Sequence, residues 1–212
     1  LLHSYFLVAV LFSHSLLSNA YEREVIEAFT KVGAGGVGNE SAARIAPSVK
    51  KLGSSSILPL LNAMNTANAL GDNWIRASLS QILDQTDEVA FPRESIKDFA
   101  MNRKNEGSSR RAAFELLLEH NSEFASSMVP EFLNDPEPSL RREAVARLLK
   151  KANSSKNNQQ SRSLYEEVLA NGTDVSQIKE ASAALKGLGH NVDLVALMGF
   201  LVELEIVGPF DN

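Results

Sequence analysis

The segment Gly33-Ala34-Gly35-Gly36-Val37-Gly38 reads G-x-G-x-x-G. In a dinucleotide site those glycines let a pyrophosphate approach a helix start, directly after a strand. Here the preceding Glu22–Phe29 stretch has helical spacing, and no acidic residue follows about twenty positions on to hold a ribose. The glycines therefore read as a flexible linker. The histidines outside the apolar amino-terminal segment are His120 and His190, and neither has a His or carboxylate at metal-ligand spacing. The chain has no Cys, which excludes disulfides, thiolate zinc sites and Cys nucleophiles. Ser is abundant, but no Gly-x-Ser-x-Gly elbow occurs. Glu115/Glu119 and Glu166/Glu167 are paired carboxylates on polar helix faces, and acid–base work would need a cleft around them. Arg141, Arg142, Arg147, Lys150 and Lys151 form a basic run without interleaved aromatics, which reads as a solvated helix face. The expectation is no catalytic, cofactor-binding or metal residue, and no cofactor.

What remains is architecture. With 212 residues, 44% hydrophobic and 22% charged, the composition is that of a globular chain of one domain, or one and a fragment. Lys+Arg 21 against Asp+Glu 26 gives a net charge of −5, which argues against a dedicated nucleic-acid binder. Aromatic residues are 7%, thin for a β-sandwich.

Residues Leu1 to Ala20 carry no Lys, Arg, Asp or Glu; they contain the apolar run Tyr5–Phe12 and end in Ser18-Asn19-Ala20. This reads as the apolar region and cleavage site of an export signal, too short for a membrane span. The missing basic region and the initial Leu1 fit a chain that begins after its true start. A buried first helix is the competing reading, against which Ser13, His14 and Ser15 interrupt the apolar stripe.

The middle is repetitive. In Asp135-Pro136-Glu137-Pro138-Ser139-Leu140-Arg141-Arg142, continuing to Leu149, the apolar residues Leu140, Ala144, Val145, Leu148, Leu149 and Ala152 share one helical face. Pro is tolerated in that helix's first turn, where its missing N–H would have no partner anyway. Asp72 through Leu83, Ser108 through Leu118 and Gln177 through Leu185 follow the same pattern, and Ala42 through Leu52 is a weaker copy. Aligning the basic residues Arg44, Arg76, Arg110, Arg141 and Lys179 gives intervals of 31 to 38 residues by subtraction of their numbers, the last lengthened by a polar insert at Asn153–Ser161. A second apolar helix precedes each of these: Ile57–Met64, Ile96–Ala100, Phe124–Leu133 and Leu164–Leu169. The unit is helix, turn, helix, which cannot bury its apolar face alone and needs stacked neighbours.

On Asp135–Leu148, and next on Asp72–Leu83, the chain resembles the HEAT-repeat family, with armadillo-type repeats as the near alternative. The resemblance covers about residues 40–190 and implies an all-α, right-handed α-solenoid of four to five helical hairpins. It also implies structural roles: Asp72 and Asp135 as turn residues that cap the second helix, and Arg76, Arg110 and Arg141 as links to a neighbouring repeat's turn. The alternative for those arginines is a basic ligand-binding ridge. Trp74, the only Trp, has two readings: packing between repeats, or an exposed anchor for a partner.

After His190-Asn191, Val192–Gly199 reads as a short helix with a Gly stop. Phe200–Val207 alternates like a strand, and Gly208-Pro209 ends it. Gly199-Phe200-Leu201 and Ile206-Val207-Gly208-Pro209-Phe210-Asp211-Asn212 resemble a junction in exported multi-domain bacterial proteins, where such a strand opens a β-sandwich module. The expected organisation is a signal at 1–20, a helix and linker at 21–38, an array at 39–191, and a linker helix with the first strand of another module at 192–212. The expected function is a non-catalytic interaction scaffold or spacer in an exported, periplasmic or envelope protein. Its partner is a protein or the adjacent domains of the same chain, with no nucleic acid and no membrane span after signal removal. The alternative is the accessory region of an envelope peptide- or polysaccharide-acting enzyme whose catalytic domain lies beyond residue 212. A helical-repeat lyase or nucleic-acid binder is disfavoured by the acidity and the signal.

Overall fold

The structure is a computed structural model that describes residues 20–199. Most of the segment read as an export signal, and the strand expected at Phe200–Val207, lie outside these residues. Among the described residues every regular element is a helix, so the fold class is all-α. The chain divides into two compact units, the first ending at Met128 and the second beginning at Val129.

The first unit begins with helix α1 (residues 20–30), which buries Val25 and Phe29 four residues apart on one face. The glycine segment behind it is a compact turn. Gly33 N–H bonds the Val37 carbonyl at 2.8 Å, and Gly38 sits at φ 75° against the Lys31 backbone, where a Cβ would come within 2.7 Å of the Lys31 carbonyl oxygen. Only Gly meets both demands. After α2 (Asn39–Ile45) and two short 3-10 turns (Ala46–Lys51, Ser54–Ser56) come α3 (Ile57–Met64), α4 (Ala69–Leu83), α5 (Arg93–Met101), α6 (Gly107–His120) and α7 (Ser122–Met128). Helix α3 packs on α4, α5 on α6, α6 on α7, and α3 and α4 both pack on α6. Ile57, Leu60, Ile75, Ile82 and Ile96 are fully buried in this unit, each contributing about 2 kcal/mol of burial.

The lead-in segment is integrated with α4. Asn68 accepts from Leu70 and Gly71 N–H as the α4 cap and donates to the Val32 carbonyl at 2.6 Å. A Cβ at Gly71 would meet the Phe29 carbonyl oxygen at 2.7 Å, so the glycine is what lets α1 approach α4. The start of α6 is satisfied across hairpins in the same way: the Asn65 carboxamide oxygen accepts from Glu106 N–H at 2.9 Å and from the Ser109 hydroxyl at 2.7 Å.

The second unit opens with a 3-10 turn (Val129–Phe132), followed by α8 (Pro138–Ser154), α9 (Asn158–Asn171), α10 (Val175–Gly187) and the one-turn α11 (Leu194–Met198). Helix α9 packs on both α8 and α10, and α8 contacts α10 directly. Val145, Leu149, Ala152, Leu164, Tyr165, Val168, Ala181 and Leu185 form its core. The polar insert at Asn153–Ser161 is mostly helix: it ends α8 and supplies the Asn157 cap and first turn of α9. A short polar connection suffices because the Ser161 hydroxyl turns inward to bond the Ala152 carbonyl at 3.0 Å.

Counted from each helix start, the third and seventh residues are buried in α4, α6, α8 and α10: Gly71 and Ile75, Ser109 and Ala113, Leu140 and Ala144, Gln177 and Ala181. In this register Arg110 and Arg141 hold the fourth position, but Arg76 holds the eighth and Asp72 the fourth. Arg76 thus lies one turn further into its helix than Arg110 and Arg141. A four-residue shift keeps residues on nearly the same helix face, so apolar periodicity cannot detect it.

Candidate functional site

The starts of α4, α6, α8 and α10 gather most of the charged residues singled out by sequence. The capping expected of the turn aspartates falls elsewhere. Asn68 caps α4, because Asp72 is already a full turn inside the helix; Glu137 caps α8, accepting from Ser139 N–H. Asp135, 1% exposed, accepts from Glu137 N–H at 2.9 Å and so shapes the turn. Asp174, unremarked in the sequence, is the aspartate that caps α10, accepting from Ser176 and Gln177 N–H.

The three arginines also diverge. Arg76 extends from α4 to α6, donating to the Ser108 carbonyl at 2.8 Å and to Glu115 at 2.7 Å. Arg110 is 1% exposed and donates to the Ala100 carbonyl at the end of α5, within its own hairpin. Arg141, at the same helix position, donates to the Asp135 carbonyl of its own turn at 2.7 Å. The reach from α8 to α10 belongs instead to Arg142, whose Nε lies 3.4 Å from the Asp174 carboxylate. Trp74 is half-buried and stacks on Phe29 with centroids 5.6 Å apart.

Two grooves follow from these seams. In the first unit Arg76, Leu79 and Ser80 of α4 face Ala112, Glu115, Leu116 and Glu119 of α6 around a groove of about 190 Å³. Glu115 is held by two guanidiniums, Arg76 and Arg111, each at 2.7 Å. The carboxylate pair Glu115/Glu119 therefore borders a cleft, but the member between the arginines is neutralised and engaged. In the second unit Arg142, Ala146 and Lys150 of α8 face Ser176, Gln177 and Glu180 of α10 around an open groove of about 560 Å³, floored by Leu149. Its ends are tied. Gln177 Nε2 donates to the Arg142 carbonyl at 3.0 Å, and Asn153 Nδ2 donates to Glu180 at 2.9 Å while accepting from the Tyr165 hydroxyl. Gln177 is 7% exposed, and its Oε1 is buried without a hydrogen-bond partner.

Electrostatics separate the two aspartates. Ser176, the Gln177 N–H and Arg142 hold the Asp174 carboxyl below the usual carboxylate range. Burial pushes Asp72 up, with Ser108 and Arg76 pulling partly back, and its Oδ1 is buried without a partner. His120 ends α6 stacked on Phe91 at 3.8 Å, and His190 follows the left-handed Gly189 that stops α10. Among the described residues, no three or more His, Cys, Asp or Glu are placed to hold a metal ion, and no helix is long and apolar enough to cross a membrane.

The described residues form an all-α fold in which Arg76 ties α4 to α6 and Arg142 ties α8 to the cap of α10. No family model matches the chain, and no curated protein or solved structure matches it.

Proposed function

We propose that the chain is a HEAT- or armadillo-like helical-repeat solenoid acting as a non-catalytic interaction scaffold or spacer, within a larger exported protein. The observation that carries this reading is the shared seam logic. In each unit a helix touches the next-but-one helix, α4 with α6 and α8 with α10, and an arginine of the first, Arg76 at mid-helix in α4 and Arg142 early in α8, reaches the opening turn, or the cap, of the second. Stacked hairpins need such contacts, because each hairpin leaves an apolar face for its neighbour. Arginine suits the task, since one guanidinium can serve a carbonyl and a carboxylate together, as Arg76 does. The uncharged, apolar run at the amino terminus supports export. The partner is another protein or an adjacent domain of the same chain.

Two experiments test the reading. Reconstituting the purified full chain with a partner recovered from its source should give a complex of fixed stoichiometry, with no substrate turnover by the chain alone. Turnover that depends on residues 39–191 would contradict the scaffold reading. Cell fractionation should place the processed chain outside the cytosol, and unprocessed cytosolic protein would contradict export.

A further inference from the structure

We infer that the α8–α10 groove is a binding site for an extended peptide segment bearing acidic side chains. The inference rests on the scaffold reading and names the chemistry of its partner. The groove offers about 560 Å³, enough for several side chains. Its acidic groups are already engaged: Asp174 is bound by the α10 amides and Ser176, and Glu180 by Asn153. Its basic groups are less fully engaged. Lys150 is exposed on the lip, and Arg142 is 62% exposed, with a single 3.4 Å contact to Asp174. Between them, one turn from each, Ala146 leaves the space empty. The wall adds Gln177 Oε1, a buried acceptor with no partner. Such an acceptor costs stability until a donor reaches it. The groove thus presents two exposed cations, Lys150 and the Asp174-paired Arg142, with a buried acceptor behind them. A side-chain carboxylate complements the cations, and an extended acidic peptide repeats that group along its length.

The parallel groove of the first unit shows what fills such a space when no ligand is required. At the ninth position of α6 stands Glu115, one turn after Arg111, and it takes both Arg111 and Arg76. At the ninth position of α8 stands Ala146, one turn after Arg142. A ligand carboxylate pairs with Arg142 and Lys150 as Glu115 pairs with Arg111 and Arg76.

The probe is a fluorescein-labelled octapeptide of alternating Glu and Ser, amidated at its carboxyl end so that the peptide's own acids are all side-chain groups. Its binding to the full chain is read by fluorescence anisotropy beside a Lys/Ser counterpart. The Glu/Ser peptide should bind and the Lys/Ser peptide should not. Arg142→Glu with Lys150→Glu should weaken binding at least about tenfold, and added salt should weaken it too. Lys186→Glu, one such charge reversal away from the groove, should leave it unchanged. Ala146→Glu, an exposed substitution that supplies an internal carboxylate, should also weaken binding about tenfold, and it keeps the test decisive if the double variant fails to fold. Equal binding of the two peptides, no binding of the Glu/Ser peptide, or unchanged binding in Ala146→Glu would overturn the site. Those results would leave the scaffold reading standing, because it is tested by stoichiometric assembly with a whole partner.

Discussion

The α4–α6 and α8–α10 grooves start from one plan and end in opposite states. Each lies between two helices linked by an arginine, and each has an arginine at the fifth position of one lining helix, Arg111 in α6, the second of its pair, and Arg142 in α8, the first of its pair. In the first, Glu115 fills the next turn and closes the groove to about 190 Å³ with two ion pairs. In the second, Ala146 leaves the next turn empty, and the groove stays at about 560 Å³ with its cations facing solvent. The first groove is thus filled by a carboxylate and the second is not. The difference lies in pairing rather than net charge, since both grooves carry acids and bases.

The largest effect should appear where the two units anchor their fourth-position arginines. Arg110 is buried and bonded to the Ala100 carbonyl, whereas Arg141 is half-buried over its own turn. Arg110→Ala should cost about 3 kcal/mol and Arg141→Ala about 1 kcal/mol in urea denaturation. Equal costs would show that the first unit is no more locked than the second.

The reciprocal exchange should come next. Glu115→Ala releases Arg76 and Arg111, should cost about 1 kcal/mol, and should give the first groove measurable affinity for the Glu/Ser peptide. If Glu115→Ala binds no peptide, pairing alone does not explain the contrast.

Much of the fold was legible before the structure. The apolar faces of α3 through α10 stood out because burial repeats with the helical period, and Pro138 marked a helix start because its ring fits only a first turn. The register of Arg76 and the caps at Asn68 and Glu137 did not stand out. A one-turn shift preserves the apolar stripe, and Asp, Asn and Glu a few residues apart compete for the same free N–H groups. The grooves were less legible still. The basic run at Arg141–Lys151 read as one solvated face, yet Arg141 turns to its own turn, Arg142 to Asp174, and Lys150 to the groove. Which side chains meet depends on helices some thirty residues apart, and Ala146 carries no signal in a sequence because its role is to be small.

The pH dependence should be smaller and of opposite sign in the two units. The depressed Asp174 carboxyl contributes stability that is present above its unfolded value and is lost as pH falls through the lower folded value. Asp174→Ala should therefore lower stability at neutral pH and flatten the loss seen in acid. The raised Asp72 carboxyl binds its proton more tightly when folded, so stability falls as pH rises from the ordinary carboxylate value through the raised one. Asp72→Asn should flatten that loss, as read from urea midpoints across mildly acid pH. The smallest effect should be that of Lys150→Ala: stability within about 0.5 kcal/mol of the parent, with weaker peptide binding.

The most direct test is a titration of the isotopically labelled full chain with the Glu/Ser octapeptide, followed by amide chemical shifts. The predicted result is shifts clustered at residues 142–154 and 174–180, absent in Ala146→Glu. Shifts clustered on α4 and α6 instead, or the same shifts persisting in Ala146→Glu, would contradict the account.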